Sequence, residues 1–78
     1  MNKVYQNGDF LLGTKKDLKM YNDQLFSYKE IDEDVYYELE NELKNYKDDT
    51  ILLLNEGFGM GPYIREFEDV VWFEKEVL

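Results

Sequence analysis

Three acidic residues recur every four positions near the middle of the chain: Asp34, Glu38 and Glu42. On a helix, side chains four residues apart lie about 5–6 Å from each other on one face. Their carboxylates would form a row spaced much like the phosphates along a nucleic-acid strand. Such a row could occupy a protein site built for DNA or RNA. It could equally be a solvated face that only keeps the protein in solution.

The C-terminal segment, residues 63–77, adds further acids in a pattern that alternates like a β-strand. Five large or acidic side chains would share one face of that strand: Glu66, Glu68, Trp72, Glu74 and Glu76. We expect the acids to enlarge the negative field of the central row. If Trp72 is exposed, it would be an interface anchor of the kind that dominates binding energy. If another element covers it, the ring belongs to the core.

Glycine alternates with large apolar residues in Gly57-Phe58-Gly59-Met60-Gly61, and Pro62 follows. A phosphate-binding loop requires a different glycine spacing and usually a lysine, and this segment has neither. The pattern is typical of a turn between two strands. The functional alternative is a mobile contact loop, in which Phe58 and Met60 would meet a partner, since Met and aromatic residues are enriched at interface cores.

Residues suited to catalysis or to holding a metal are scarce. The chain has no His and no Cys, and its eighteen acidic residues guarantee chance carboxylate pairs without any recognisable motif. The acidic run from Asp32 to Asp34 lacks the oxygen spacing and the glycine of a calcium-binding loop. We therefore expect no enzymatic activity, no cofactor and no metal.

Charge is distributed unevenly along the chain, whose net charge is −9. Residues 1–29 sum to +2, residues 30–49 to −7 and residues 50–78 to −4. The one basic cluster, Lys15, Lys16 and Lys19, is too small for nucleic-acid binding, and we expect it to pair with the acidic helix. The expected partner is the basic surface of another protein rather than nucleic acid or a membrane.

The length of 78 residues predicts one domain, 1–78, that buries only about 60% of the surface its unfolded chain exposes. Aromatic residues must fill much of the core, because the chain has no Ala. The absence of Ala also hints at an AT-rich gene of a low-GC bacterium, its phages or its mobile elements. No signal peptide or membrane-length apolar run is present, which predicts a cytoplasmic protein in a bacterial host cell.

The N-terminal residues Val4–Leu12 predict a β-hairpin, because Asn7-Gly8 is a strong two-residue turn signal. The expected cross-strand pairs are Tyr5 with Phe10 and Val4 with Leu11. Thr14 and Asp17 then resemble a capping box that opens a helix. Asn22-Asp23 is a poor helix interior, so we expect only one or two turns, followed by a short strand within 24–29.

The longest predicted helix runs from Asp32, a favourable N-cap, to Lys47. Its apolar stripe consists of Val35, Tyr36, Leu39, Leu43 and Tyr46. Lys44 and Lys47 are expected in the last turn, where the helix dipole favours cations.

Ile51–Leu54 is apolar enough for a buried central strand, and Tyr63–Val77 predicts one long strand, or two that break near Glu68-Asp69. Together these elements predict a small single α+β domain. In it, one long amphipathic helix packs on a mainly antiparallel sheet that includes the N-terminal hairpin.

Three classes of function fit these features. The first is a small inhibitor of phage or mobile-element type that blocks a nucleic-acid-binding host protein by mimicking nucleic acid. The second is an immunity or antitoxin protein that covers the basic site of a toxin. The third is an accessory domain that associates with itself, as a homodimer, or with a larger complex, its charge serving only solubility.

Overall fold

The computed structural model describes residues 4–8, 10–55 and 63–77. In chain order its elements are β1 (Tyr5–Asn7), β2 (Phe10–Thr14), α1 (Lys15–Ser27), α2 (Glu33–Leu43), β3 (Ile51–Asn55), β4 (Tyr63–Glu66) and α3 (Val70–Glu76). The strands form one antiparallel sheet in the order β1-β2-β3-β4. The predicted α+β class is confirmed, but two medium helices and one short helix replace the single long one.

The N-terminal hairpin forms, but its predicted register is wrong. Tyr5 pairs with Leu12 and Asn7 with Phe10, so the turn lies one position later than expected. Gly8 has the positive φ of 60° that the turn requires, whereas Asn7 belongs to β1. The observed and expected registers differ by two residues, which leaves each side chain on the same face of the sheet. The apolar pattern therefore could not distinguish them.

Strand β3 lies between β2 and β4, which confirms Ile51–Leu54 as a central strand. Its buried residues Leu52 and Leu54 lie on the same sheet face as Leu11 of β2. Helices α1 and α2 pack on this face, and the resulting cluster of six buried leucines is Leu11, Leu18, Leu39, Leu43, Leu52 and Leu54. We call this side of the sheet the first face.

Helix α1 begins as predicted and runs much further than predicted. The Thr14 hydroxyl oxygen accepts a hydrogen bond from the Asp17 amide at 3.2 Å, which confirms the N-cap. The helix then continues for thirteen residues, through Asn22-Asp23 and through most of the expected strand at 24–29. The polar pair is tolerated because Asn22 Nδ2 donates to the Tyr36 carbonyl at 3.2 Å and Asp23 accepts from the Tyr36 hydroxyl at 2.6 Å. Asn22 Nδ2 and the Asp23 carboxylate thus bond to α2, while Asn22 Oδ1 is buried without a hydrogen-bond partner among the described residues.

Helix α2 is shorter than the predicted 32–47. It starts after Asp32, as expected, and ends at Leu43, so Lys44 and Lys47 follow the helix instead of occupying its last turn. A tighter turn follows the helix, in which the Tyr46 amide donates to the carbonyl of Leu43, three residues earlier, at 3.1 Å. Of the expected stripe, Leu39 and Leu43 are buried and Tyr46 packs against the core, but Val35 is exposed.

The C-terminal segment is not the predicted long strand. Pairing between β3 and β4 ends at Leu52 and Glu66, and the Asp69 carboxylate then caps α3 by accepting from the Trp72 amide at 3.0 Å. The predicted break near Glu68-Asp69 is real, but a helix follows it. Val and aromatic residues favour strands mainly where they pack against a neighbouring strand. The Phe67 amide still donates to the Ile51 carbonyl at 2.8 Å, but the part after Phe67 packs on the sheet instead of joining it.

Helix α3 lies on the other side of the sheet, which we call the second face. Trp72 contacts Tyr5 of β1 with ring centroids 5.7 Å apart, and it contacts Phe67 at 5.9 Å. Tyr5 pairs with Leu12, which faces away from Leu11 and is also buried. Phe73 is fully buried and lies outside the leucine cluster of the first face. The domain thus has three layers, with α1 and α2, the sheet, and α3 in that order.

Within residues 4–8, 10–55 and 63–77, no helix has the length and apolar character that crossing a membrane requires.

Candidate functional site

The acidic row, which we define as Asp34, Glu38 and Glu42, lies on the solvent-exposed surface of α2. All three residues are exposed, and the row runs beside the buried residues Leu39 and Leu43, with Glu42 roughly 60° around the helix from Leu39. No ion pair joins a residue of the row to any other part of the chain that the structure describes. The row is therefore a set of uncompensated, solvated carboxylates on one rigid element.

Unlike the acidic row, the acids between α1 and α2 have an ion-pair partner, which is Lys19. Its ammonium lies 3.4 Å from the Asp23 carboxylate and 3.4 Å from that of Glu40, which links the two helices. Lys15 pairs with Asp48 at 3.0 Å. The predicted pairing with the acidic helix is confirmed for Lys19, whereas Lys15 pairs with Asp48, which follows α2.

Around this bridge, Tyr36 joins α2 to α1. Its ring stacks on Phe26 with centroids 4.4 Å apart, and its hydroxyl donates to Asp23. This hydrogen bond, burial and the nearby carboxylate of Glu40 raise the pKa of Tyr36 to about 12. Burial opposes the charge of Lys19, but attraction to Glu40 and Asp23 outweighs burial and raises the pKa of Lys19. The network holds α2, and with it the acidic row, in place.

The network predicts a loss of stability at alkaline pH. Tyr36 keeps its proton in the folded state up to about pH 12, whereas the unfolded chain releases it near 10. Its contribution is complete below pH 10 and is lost as the pH rises towards 12. We expect the wild type to be more stable than Tyr36→Phe at about pH 8, with the gap closing by about pH 12. Urea midpoints of both proteins across this range test it, and a gap independent of pH would contradict it.

Of the four C-terminal acids, Glu66 lies on the same side of the sheet as α2, but Glu74 and Glu76 do not. Glu66 shares the first face with Leu52, Glu68 follows β4, and Glu74 and Glu76 lie on α3 across the sheet. Two residues apart on a helix means roughly 200° of rotation, so Glu74 and Glu76 do not share a face either. All four acids are exposed. The expected single negative surface depended on the strand that does not form.

Trp72 lies in the wall of a groove on the second face and is 37% exposed. The groove has a volume of about 440 Å³ and is mostly apolar. It is lined by Tyr5, Asn7, Phe10, Leu12, Leu53, Arg65, Phe67, Asp69 and Trp72. The two predictions for Trp72 were an exposed ring and a ring covered by the core. The structure shows an intermediate case, in which the ring is partly covered.

Arg65 contributes the positive charge of this groove and was not among the predicted site residues. The available signal was that Arg65 is the sole arginine of the chain and that Tyr5, Leu12 and Arg65 occur in strands of alternating pattern. Phe58 and Met60, the contact residues predicted in the glycine-rich segment, lie outside the described residues.

The chain matches no protein-family model, and no curated protein or solved structure shows significant similarity to it.

Proposed function

We propose that the protein binds the basic, nucleic-acid-binding surface of another protein through the acidic row and blocks that surface. Such an inhibitor is of the type that phages and mobile elements use against host defence, replication or transcription proteins. The observation that carries the proposal is the uneven use of lysine. Lys19 and Lys15 pair with acids elsewhere, while Asp34, Glu38 and Glu42 have no ion pair among the described residues.

The acidic row lowers the stability of the helix that carries it. Each like-charged pair at this spacing costs a few tenths of a kcal/mol, about what a pair of opposite sign would contribute. The first turn of α2 adds Glu33, which is also exposed. A regular line of carboxylates on a fixed helix can replace several phosphates at once on a basic groove, and its field speeds the encounter with that groove.

The three-layer arrangement excludes the acids of α3 from the proposed contact surface. Glu74 and Glu76 lie on α3, across the sheet from α2, so a flat partner site that receives the acidic row would not also receive them. We assign the contact to Asp34, Glu38 and Glu42. The mode of action is binding rather than catalysis, in keeping with a chain that has no His or Cys.

The proposal predicts that Glu38→Lys combined with Glu42→Lys abolishes partner binding while the fold survives. Both side chains are exposed, and the first change replaces repulsion from Asp34 by attraction. Loss of paired charge across an interface costs about 2–5 kcal/mol. The matched control is Glu74→Lys with Glu76→Lys, which alters the net charge by the same amount on α3 and should keep binding.

The experiment uses the wild type and both double variants as baits in a low-GC bacterial lysate, after circular dichroism and melting have shown that all three are folded. The expected partner is a nucleic-acid-binding protein that DNA or RNA displaces and that raised salt releases. It should be captured by the wild type and the α3 variant but not by the α2 variant. Capture of the partner by all three baits would show that the acidic row does not bind it and serves only solubility.

A further inference from the structure

We propose that the groove on the second face binds a small aromatic carboxylate, with the aromatic ring against Tyr5, Phe67 and Trp72 and the carboxylate on Arg65. This site lies on the opposite side of the sheet from the acidic row and does not depend on the proposed function.

The walls of the groove are aromatic and meet at steep angles. The Trp72 ring stands at 86° to Tyr5 and at 63° to Phe67. Leu12 and Leu53, which pair across β2 and β3, also line the groove and add to its apolar surface. A flat aromatic ring placed there would meet one wall face-on and another edge-on, and aromatic rings prefer such offset and edge contacts.

The size of the groove fits a small molecule. Its volume of about 440 Å³ falls within the range of roughly 300–1,000 Å³ in which small-ligand pockets occur. Such pockets are mainly apolar and contain a few convergent polar groups that fix the orientation of the ligand. Here those groups are Asn7, Arg65 and Asp69.

Arg65 is the residue of the groove that would hold a carboxylate. It pairs with Leu53 across β3 and β4, and its side chain is exposed. In a chain with twice as many acids as bases, the guanidinium has no ion pair among the described residues. Asp69, in the same groove, is engaged as the cap of α3. A planar guanidinium matches a carboxylate with two parallel hydrogen bonds.

Ligand binding can be followed by NMR through Trp72. It is the sole tryptophan of the chain and gives one indole N–H resonance in a two-dimensional spectrum. The probe is cinnamate, titrated at physiological salt, with cinnamamide as its neutral isostere and cinnamylamine as the cationic one. We expect a saturable shift of the indole resonance with cinnamate. The amide and the amine should bind at least about tenfold more weakly, since they lack the charged hydrogen bonds to Arg65.

The variant Arg65→Met keeps the apolar stem and removes the charge, and it should reduce cinnamate affinity to that of cinnamamide. The control Lys44→Met removes one positive charge after α2 and should bind cinnamate like the wild type. Glu38→Lys with Glu42→Lys should also bind cinnamate normally, which separates this site from the proposed partner surface.

Three results would overturn the assignment. Equal affinity for cinnamate and cinnamamide, or unchanged affinity in a folded Arg65→Met variant, would show that the groove does not select carboxylates. A shift of the Trp72 resonance on dilution without any probe would show that a second copy of the chain occupies the groove in place of a small ligand.

Discussion

Phe73→Ala should lower the free energy of unfolding by about 3–5 kcal/mol, the range for removing a fully buried phenylalanine. Phe73 is 0% exposed and is the buried residue of α3. The substitution leaves a cavity between α3 and the second face of the sheet. For a domain of this size the total stability is about 4–12 kcal/mol, so the variant should approach unfolding at room temperature.

The matched control for this prediction is Val71→Ala on the same helix. Val71 is 77% exposed, so its truncation should change stability by no more than about 0.5 kcal/mol. Urea titration followed by circular dichroism measures both variants. The pair also tests the fold, because an extended strand would place Val71 and Phe73 on one face. Equal losses for the two substitutions would favour that strand and contradict α3.

Leu39→Ala should cost about 2–5 kcal/mol, because Leu39 is 5% exposed and belongs to the leucine cluster of the first face. The loss should act on the contact between α2 and the sheet. The core of this domain is small and has few other contacts to offset the lost packing of Leu39. The melting temperature should therefore fall by at least about 8 °C.

Val35→Ala on the same helix is the comparison. Val35 is 42% exposed, although the helical stripe had predicted it to be core. Its truncation should cost less than about 1 kcal/mol, partly offset by the higher helix propensity of alanine. If Val35→Ala proved as damaging as Leu39→Ala in the same denaturant series, the helix would be rotated relative to the structure described above.

The sequence by itself determined the features that depend on neighbouring residues. The Thr14 cap, the start of α2 after Asp32 and the identity of β3 were all predicted, because a capping side chain, a helical period and an apolar run act within one element. The exposure of Asp34, Glu38 and Glu42 was predicted for the same reason. Once Leu39 and Leu43 are buried, the helical period places these three carboxylates beside the buried stripe on exposed surface.

The tertiary structure decided whatever depended on distant partners. The length of α1 depends on Tyr36, which bonds Asn22 and Asp23 from another helix. The hairpin register differs from the predicted one by two residues, and a shift of two leaves the apolar pattern unchanged. The helical state of the segment from Val70 to Glu76 accompanies the burial of Phe73 outside the leucine cluster, which no local pattern specifies.

Of the two candidate binding surfaces, the sequence predicts the acidic row, whereas the groove depends on the tertiary structure. A row on one helix can be read from its spacing, but the groove joins Tyr5, Leu53, Arg65 and Trp72 from four different elements. The helix α3 also carries Glu74 and Glu76 to the opposite side of the sheet from the acidic row. Tertiary packing thus turned one predicted negative surface into two separate faces, because layers on opposite sides of a sheet cannot meet the same flat partner.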